Sequence, residues 1–344
     1  MDAFSPKERL NRVLHGQKVE RAPVICPGGM MNAAVVDVMN KTGHVLPDAH
    51  HTAEKMSDLA KDVWEHTGFE NFGIPFCMTV EAQALGSTVD FGSLECEPKI
   101  QQERFPSVKE VDFLPSGEIV RHTRAQTVAQ AMYSLKKKYP DIPVIGSLTG
   151  PISTAASLVD PMIFLKQLRR ERSDAHKVIS YVAEQLIAYA RLMVESGATA
   201  ISIADPTATG EILGPKCFDE FAVLYLNQIA DRIHEMGIPV IIHICGDVRM
   251  VKPQLQKLHG DALSVDAFVD LRTLKKELSD ATTMGNLSTY LLEFSNPAKI
   301  YENATNLLTK NIDILAPACG LSTSTPLANI KAFTDAIKEG GKND

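Results

Sequence analysis

The sequence has no apolar run that approaches the length of a membrane span and no block of basic residues. Its 35 Lys and Arg residues are outnumbered by 42 Asp and Glu residues, and the formal net charge of −7 argues against nucleic acid as a partner. Residues 1–8 lack the basic-then-apolar pattern of a secretory leader. We therefore expect a soluble, cytoplasmic protein that binds neither membranes nor nucleic acid.

The chain also lacks low-complexity repeats and any Gly/Ser/Pro-rich linker between two unlike halves. Its 344 residues are 44% hydrophobic and 22% charged, so they can bury a large core. The six cysteines are scattered and do not resemble a compact disulfide framework, so reduced thiols are expected. These features predict a single domain that spans residues 1–344.

What recurs along the chain is a short apolar segment followed, after a polar turn, by a longer helical pattern. A predicted helix over residues 6–15 comes before eight such segments, which we interpret as strands near residues 24–26, 69–76, 143–149, 200–205, 240–246, 263–266, 283–286 and 313–317. This alternation predicts an α/β fold, a (β/α)8 TIM barrel with an N-terminal helical extension.

An open doubly wound sheet is the alternative fold. Such a sheet normally carries a glycine-rich phosphate turn after its first strand, and residues 27–30 do not have that pattern. The irregular segment 86–114 is expected to cover one mouth of the barrel with short strands.

The predicted strand 240–246 ends in side chains with metal-binding chemistry. His243 and Cys245 are two residues apart, and a strand points residues at this spacing to the same face. Cys319, which follows the last predicted strand, is the candidate for a third ligand. Two cysteines and one histidine form a ligand set typical of zinc. The alternative is that both thiols are small buried hydrophobic groups and that His243 is a hydrogen-bonded core residue.

Three protein ligands would leave one tetrahedral position open, which is typical of catalytic rather than structural zinc. Two thiolates and a neutral imidazole cancel the charge of the ion, so a thiol that enters as a thiolate would keep much of its nucleophilicity. The set therefore favours thiol alkylation over hydrolysis.

Several short motifs carry a resemblance to a known family. They are His243-Ile244-Cys245-Gly246, Ala316-Pro317-Ala318-Cys319-Gly320, Ile203-Ala204-Asp205-Pro206 and Leu148-Thr149-Gly150-Pro151. With them the chain resembles the uroporphyrinogen decarboxylase superfamily over nearly its whole length, and within it most closely the methylcobamide:coenzyme M methyltransferase branch. The resemblance implies that His243, Cys245 and Cys319 hold Zn²⁺, which activates a small thiol to take a methyl group from a methylated corrinoid protein.

The decarboxylases of the superfamily are the main alternative, and they share the barrel but use no metal. They bind tetrapyrrole carboxylates with arginines in the loop after the first strand, whereas residues 26–32 of this chain contain no arginine. The resemblance does not fix the methyl acceptor, which remains coenzyme M, another thiol or a folate.

Two aspartates that end predicted strands are the candidate catalytic residues. Asp205 is a candidate to orient a zinc ligand or to hydrogen-bond corrin, although Asp-Pro at a strand end is also an ordinary turn starter. Asp266 is a candidate for a labile fourth zinc ligand, and Glu81 is a weaker one. His50 and His51 are expected on a solvated helix or loop surface.

Overall fold

The computed structural model describes residues 3–278 and 281–340. Seven parallel strands form one sheet in the order β1-β4-β5-β6-β7-β8-β9, and β2 and β3 form a separate antiparallel hairpin. The strands are β1 Phe72–Ile74, β2 Thr88–Asp90, β3 Lys99–Gln102, β4 Val144–Thr149, β5 Ala200–Ala204, β6 Val240–Ile244, β7 Ala262–Val265, β8 Thr282–Leu287 and β9 Ile314–Pro317.

Helices follow the strands along the chain, and their ends carry recognisable capping residues. The Thr52 hydroxyl accepts a hydrogen bond from the Lys55 amide at the start of α3, and Gly68 ends α3 with a left-handed φ of 82°. The helices are α1 Pro6–Leu14, α2 Val36–Thr42, α3 Ala53–Thr67, α4 Val80–Ala84, α5 Thr123–Lys138, α6 Pro151–Ala155, α7 Pro161–Arg170, α8 Arg172–Glu195, α9 Gly210–Cys217, α10 Leu224–His234, α11 Lys252–Leu255, α12 Leu271–Glu277, α13 Thr289–Phe294, α14 Pro297–Leu308 and α15 Leu327–Gly340.

The central strands are buried on both faces. Every residue of β4, β5 and β6 is buried. Parallel strands covered by helices on one side and by the barrel interior on the other are mostly apolar, which is why they appear in the sequence as short apolar runs. Within residues 3–278 and 281–340, no helix combines the length and the apolar character needed to cross a membrane.

An extended segment, residues 23–26, occupies the eighth position of the ring. Val24 forms a single parallel bridge with Leu315 of β9, and the Ile25 amide donates to the Leu315 carbonyl at 3.0 Å. On the other side, the Glu70 amide donates to the Val24 carbonyl at 2.9 Å. The predicted barrel is confirmed, and the difference is that its first predicted strand forms one bridge rather than a ladder.

The other seven predicted strands appear in the predicted order. The segment 86–114, predicted to cover one mouth of the barrel with short strands, contains the β2–β3 hairpin, and we call its residues 86–104 the flap. The Asn32 side-chain amide donates to Glu97 Oε1 at 2.7 Å, and the Thr323 hydroxyl donates to the Glu95 carbonyl at 2.7 Å. Both donors lie in loops that follow strand positions, so the flap lies at the C-terminal mouth.

Candidate metal centre

Strands β6 and β9 bring three metal-binding side chains together at the C-terminal mouth. His243 is the last residue but one of β6, Cys245 follows that strand directly, and Cys319 lies two residues past the end of β9. The three possible ligand atoms, one from each residue, all lie within 4.8 Å of one another. The structure therefore places the three predicted ligands in one cluster, which we call the triad.

The triad is closely spaced and largely buried. His243 Nε2 lies 3.1 Å from Cys245 Sγ, and the two sulfur atoms are 3.7 Å apart. Met30 Sδ, from the loop after the first extended segment, lies 3.6 Å from Cys245 Sγ. Gly246 takes a left-handed φ of 70°, which turns the chain away directly after Cys245.

Ser264 fixes the orientation of the His243 ring. It pairs with His243 across the β6–β7 ladder, and its Oγ lies 2.9 Å from His243 Nδ1. A histidine that binds a metal usually has its second ring nitrogen held in this way, which leaves Nε2 directed at the sulfur atoms. Sequence reasoning missed Ser264, although its position two residues before Asp266 on a predicted strand could have shown that both point to the same face.

The two triad thiols influence each other's ionisation. Hydrogen bonding from the Cys245 thiol, followed by that from His243, lowers the pKa of Cys319 although burial opposes it. The hydrogen bond to Cys319, together with burial, raises the pKa of Cys245. Cys319 is therefore the first of the two sulfur atoms to ionise, and it has the character of a ready anionic ligand.

Asp266 lies beside the triad but is not part of it. Its Oδ2 accepts a hydrogen bond of 3.5 Å from the Gly246 amide. The Asn286 side chain holds the same loop by donating to the carbonyls of Asp266 at 2.9 Å and Val269 at 2.8 Å. The role of Asp266 as a fourth ligand stays a prediction.

Asp205 is fully buried and is engaged with the start of α6. Its two carboxylate oxygens accept from the Ile152 amide at 2.9 Å, the Ser153 amide at 2.8 Å and the Ser153 hydroxyl at 2.6 Å. Gly150 makes this approach possible, because a Cβ there would lie 2.4 Å from Asp205 Cβ. Burial raises the pKa of Asp205 to about 6. Asp205 thus anchors the turn after β4, and its role toward the metal or the substrate stays a prediction.

Glu81 is also buried, at the start of α4. Its Oε1 accepts from the Thr149 amide at 2.8 Å, and its Oε2 accepts from the Thr149 hydroxyl at 3.0 Å. Burial raises the pKa of Glu81 to about 7. Both of its oxygens bind the end of β4, and it does not belong to the group of ligand atoms formed by the triad.

His50 corrects one expectation. The residue is fully buried rather than solvated, beside the flap residue Phe91, whose ring centroid lies 6.3 Å from that of the imidazole. His51 is exposed as expected. His50 is buried among segments that are distant in the sequence, which the local pattern does not show.

Comparison with known proteins shows a likeness over nearly the whole chain. A family model described as Uroporphyrinogen decarboxylase (URO-D) matches residues 5–340. The chain is 30% identical over 340 residues to a methylcobamide:CoM methyltransferase, MtbA, of Methanosarcina acetivorans, covering 98% of this chain and 99% of the relative. It is 31% identical over 343 residues to a second one, MtaA of Methanosarcina barkeri, with the same coverage. A solved structure titled as a methyltransferase from Methanosarcina mazei superimposes with a TM-score of 0.90 at 29% identity, covering 98% of this chain and 99% of that one.

Proposed function

The chain belongs to the uroporphyrinogen decarboxylase family, and from this premise we propose that it is a zinc-dependent methyltransferase that moves a methyl group from a methyl-Co(III) corrinoid protein to a zinc-activated thiol such as coenzyme M. The triad of His243, Cys245 and Cys319 is the observation that carries the proposal. The full-length relatives named as methylcobamide:CoM methyltransferases support the choice of donor and acceptor.

The residues present fit a zinc ion. They supply two sulfur atoms and one imidazole at one point, and Ser264 holds the second ring nitrogen of His243. When bound, zinc would supply a Lewis acid that lowers the pKa of an incoming thiol. His243, Cys245 and Cys319 would hold the ion, and Asp266 is the residue we propose for the fourth position at rest.

The rim around the triad suits a protein partner. Large apolar side chains in the three segments that follow consecutive strands are exposed: Met250 after β6 at 64%, Phe268 after β7 at 78%, and Tyr290, in α13 after β8, at 69%. Exposed apolar side chains grouped around a mouth are typical of a surface that binds another protein. We propose that the corrinoid protein docks there.

The loop after the first extended segment does not favour a porphyrinogen decarboxylase. Residues 26–32 contain no arginine for tetrapyrrole carboxylates. Instead, the loop places Met30 against Cys245, and Cys26 donates to the Met31 carbonyl at 2.8 Å. The loop thus presents sulfur to the mouth rather than positive charge.

Metal analysis of matched cysteine variants tests the proposal. We expect about one zinc per chain in the wild type and in Cys26→Ser, and almost none in Cys245→Ser or Cys319→Ala. The last two should also lose methyl transfer while keeping the circular dichroism of the folded barrel. X-ray absorption of the zinc-loaded wild type should gain one sulfur neighbour when a competent thiol is added. Full methyl transfer by a zinc-free Cys245→Ser protein would overturn the mechanism.

A further inference from the structure

A second sulfur lies at the mouth, on a different part of the ring from the triad. Cys77 lies three residues past β1, whereas the triad belongs to β6 and β9. Arg124, in the first turn of α5, places Nη2 only 2.9 Å from Cys77 Sγ. The Thr79 hydroxyl lies 3.4 Å from the same sulfur. Cys77 is therefore an acceptor of hydrogen bonds, one of them from a positive charge.

The positive charge of Arg124 requires a negative group close to it. The residue is 5% exposed, and the other acceptors of its guanidinium, Thr79 Oγ1 at 3.1 Å and Gln83 Oε1 at 2.8 Å, are neutral. Across residues 3–278 and 281–340, we find no carboxylate oxygen within 4.0 Å of this guanidinium. A buried cation without a counter-ion is strongly unfavourable, so the geometry requires an anion, and Cys77 is the group in contact.

The remaining groups around Cys77 do not supply that anion. Glu81, Glu97 and Tyr189 are the other acids that face it, and burial raises the pKa of all three, with the charge of Cys77 raising each further. Glu81 is engaged with Thr149 and Glu97 with Asn32. Neither carboxylate contacts the Arg124 guanidinium, so among the described residues Cys77 is the acidic group that does.

His50 adds an independent observation. It is fully buried, and neither ring nitrogen has a hydrogen-bond partner of good geometry among the described residues. It nevertheless lies close enough to Cys77 to act on it: burial raises the pKa of the Cys77 thiol, but the charge of Arg124 and then that of His50 outweigh this effect and lower the pKa to about 5. An unsatisfied buried imidazole beside a sulfur is typical of a functional site rather than of simple packing.

We propose that Cys77 is a thiolate in the folded protein, held as the counter-ion of Arg124, and that it is a second nucleophilic sulfur, a modification site for small neutral electrophiles. In reaction with iodoacetamide, the sulfur electron pair forms the new C–S bond, the C–I bond breaks, and iodide leaves without proton transfer. The product is uncharged, so Arg124 loses its counter-ion.

The flap is the part of the molecule that such a modification would affect. The Arg124 guanidinium carbon lies 5.0 Å from the centroid of the Phe91 ring, which in turn lies 4.4 Å from the ring of His51. Phe91 belongs to the flap, so the Cys77–Arg124 pair supports the position of the flap over the mouth.

Cys26 is a matched control at the neighbouring ring position. It is 5% exposed and Cys77 is 3% exposed, so the two thiols are equally buried. Cys26 Sγ donates to the Met31 carbonyl at 2.8 Å, and burial raises its pKa. One sulfur therefore donates a hydrogen bond as a thiol, and the other accepts hydrogen bonds as a thiolate.

The ultraviolet absorbance of the thiolate tests the proposal on the full-length, zinc-loaded protein. Compared with the wild type, Cys77→Ser should lack one thiolate equivalent at about pH 7 and should lack a titration step near pH 5. Cys26→Ser should match the wild type at both pH values. Equal absorbance of the wild type and Cys77→Ser at about pH 7 would overturn the proposal.

A second test uses only the wild type and therefore does not depend on the folding of a variant. It is peptide mapping after brief treatment with iodoacetamide. Cys77 should be labelled at least about tenfold faster than Cys26, because the thiolate is the reactive form. Equal rates would contradict the proposal. Neither measurement depends on methyl transfer, so failure here is distinguishable from failure of the proposed function.

Amide hydrogen exchange over residues 88–102 tests the link to the flap. Cys77→Ser should increase exchange there, and Cys77→Asp, which restores a negative charge, should return it toward the wild-type rate. Equal increases in both variants would show that the charge of Cys77 does not hold the flap.

Discussion

The two ends of the barrel both hold buried polar groups but use them differently. At the N-terminal end, carboxylates placed just before strands accept backbone amides from the neighbouring strand; the pairs are Glu70 with Val24, Asp261 with Val240, and Asp313 with Thr283. The Glu70 carboxylate also accepts hydrogen bonds from Arg9 at 2.7 Å and from Arg21 at 2.6 Å. At this end, the charged groups hold the ends of the strands together.

At the C-terminal mouth, Glu81 also binds the end of a strand, but the triad and the Cys77–Arg124 pair are built from contacts between side chains. The triad holds a ring nitrogen against a sulfur at 3.1 Å, and Cys77 receives a guanidinium at 2.9 Å. The difference agrees with the general rule for such barrels, in which the N-terminal end serves stability and the C-terminal end serves chemistry. Substitutions at the two ends should therefore separate stability from metal binding.

The largest effect on stability is expected from Glu70→Gln. It weakens a buried network that contains two arginines, and breaking such a network typically costs about 3–5 kcal/mol. Denaturant unfolding should report the loss, while the zinc content of the folded protein should be unchanged. Glu20→Gln is a control, because Glu20 binds the same Arg9 but has a quarter of its side chain exposed, and its loss should cost much less. Loss of zinc from folded Glu70→Gln would contradict the separation of stability at the N-terminal end from metal binding at the C-terminal mouth.

At the mouth, Glu81 is expected to make the free energy of unfolding depend on pH. Its pKa is raised by burial from 4.5 to about 7, so the folded state favours the protonated acid. The stabilisation is fully present below about pH 4.5 and is lost as the pH rises toward 7, by an amount on the order of 3 kcal/mol. Glu81→Gln stays neutral, so its free energy of unfolding should lack this fall when both proteins are measured from acid to neutral pH. Parallel pH profiles would show that Glu81 does not titrate in this way.

The smallest of the three effects is expected from Ser264→Ala. The change removes the hydroxyl that holds Nδ1 of the triad residue His243, and loss of such a partner typically lowers metal affinity about 10- to 100-fold. Competition with a zinc chelator should show the loss, with little change in unfolding free energy. Ser202→Ala is a matched control, because Ser202 is a buried serine on β5, the strand that pairs with β6 on the side opposite to β7. Equal losses of affinity in both variants would show that the hydrogen bond to His243 does not matter.

The sequence was sufficient to predict those features that depend on local pattern. The strands were found because buried parallel strands are apolar on both faces, and the triad was found because a strand points residues 243 and 245 to one side. Cys319 is predicted as the third ligand because it follows the last predicted strand. In each case the spacing along the chain carries the information.

Features that depend on contacts between distant segments could not be predicted. His50 is buried beside the flap residue Phe91, which is distant in the sequence, and the pairing of Cys77 with Arg124 joins residues 47 positions apart. The short first strand was overestimated because Val24-Ile25-Cys26 has the composition of a strand, whereas its pairing depends on Leu315. Composition does not show how many ladder bonds a segment will make.

The bridge between Val24 and Leu315 also has a consequence for the kinetics of folding. Val24 meets Glu70 by closing a short loop, but it meets Leu315 only across most of the sequence. Before the second contact forms, the sheet has two open edges, and joining them costs more loop-closure entropy than pairing consecutive strands does. Closure of the sheet into a ring is therefore expected to be a late event in folding.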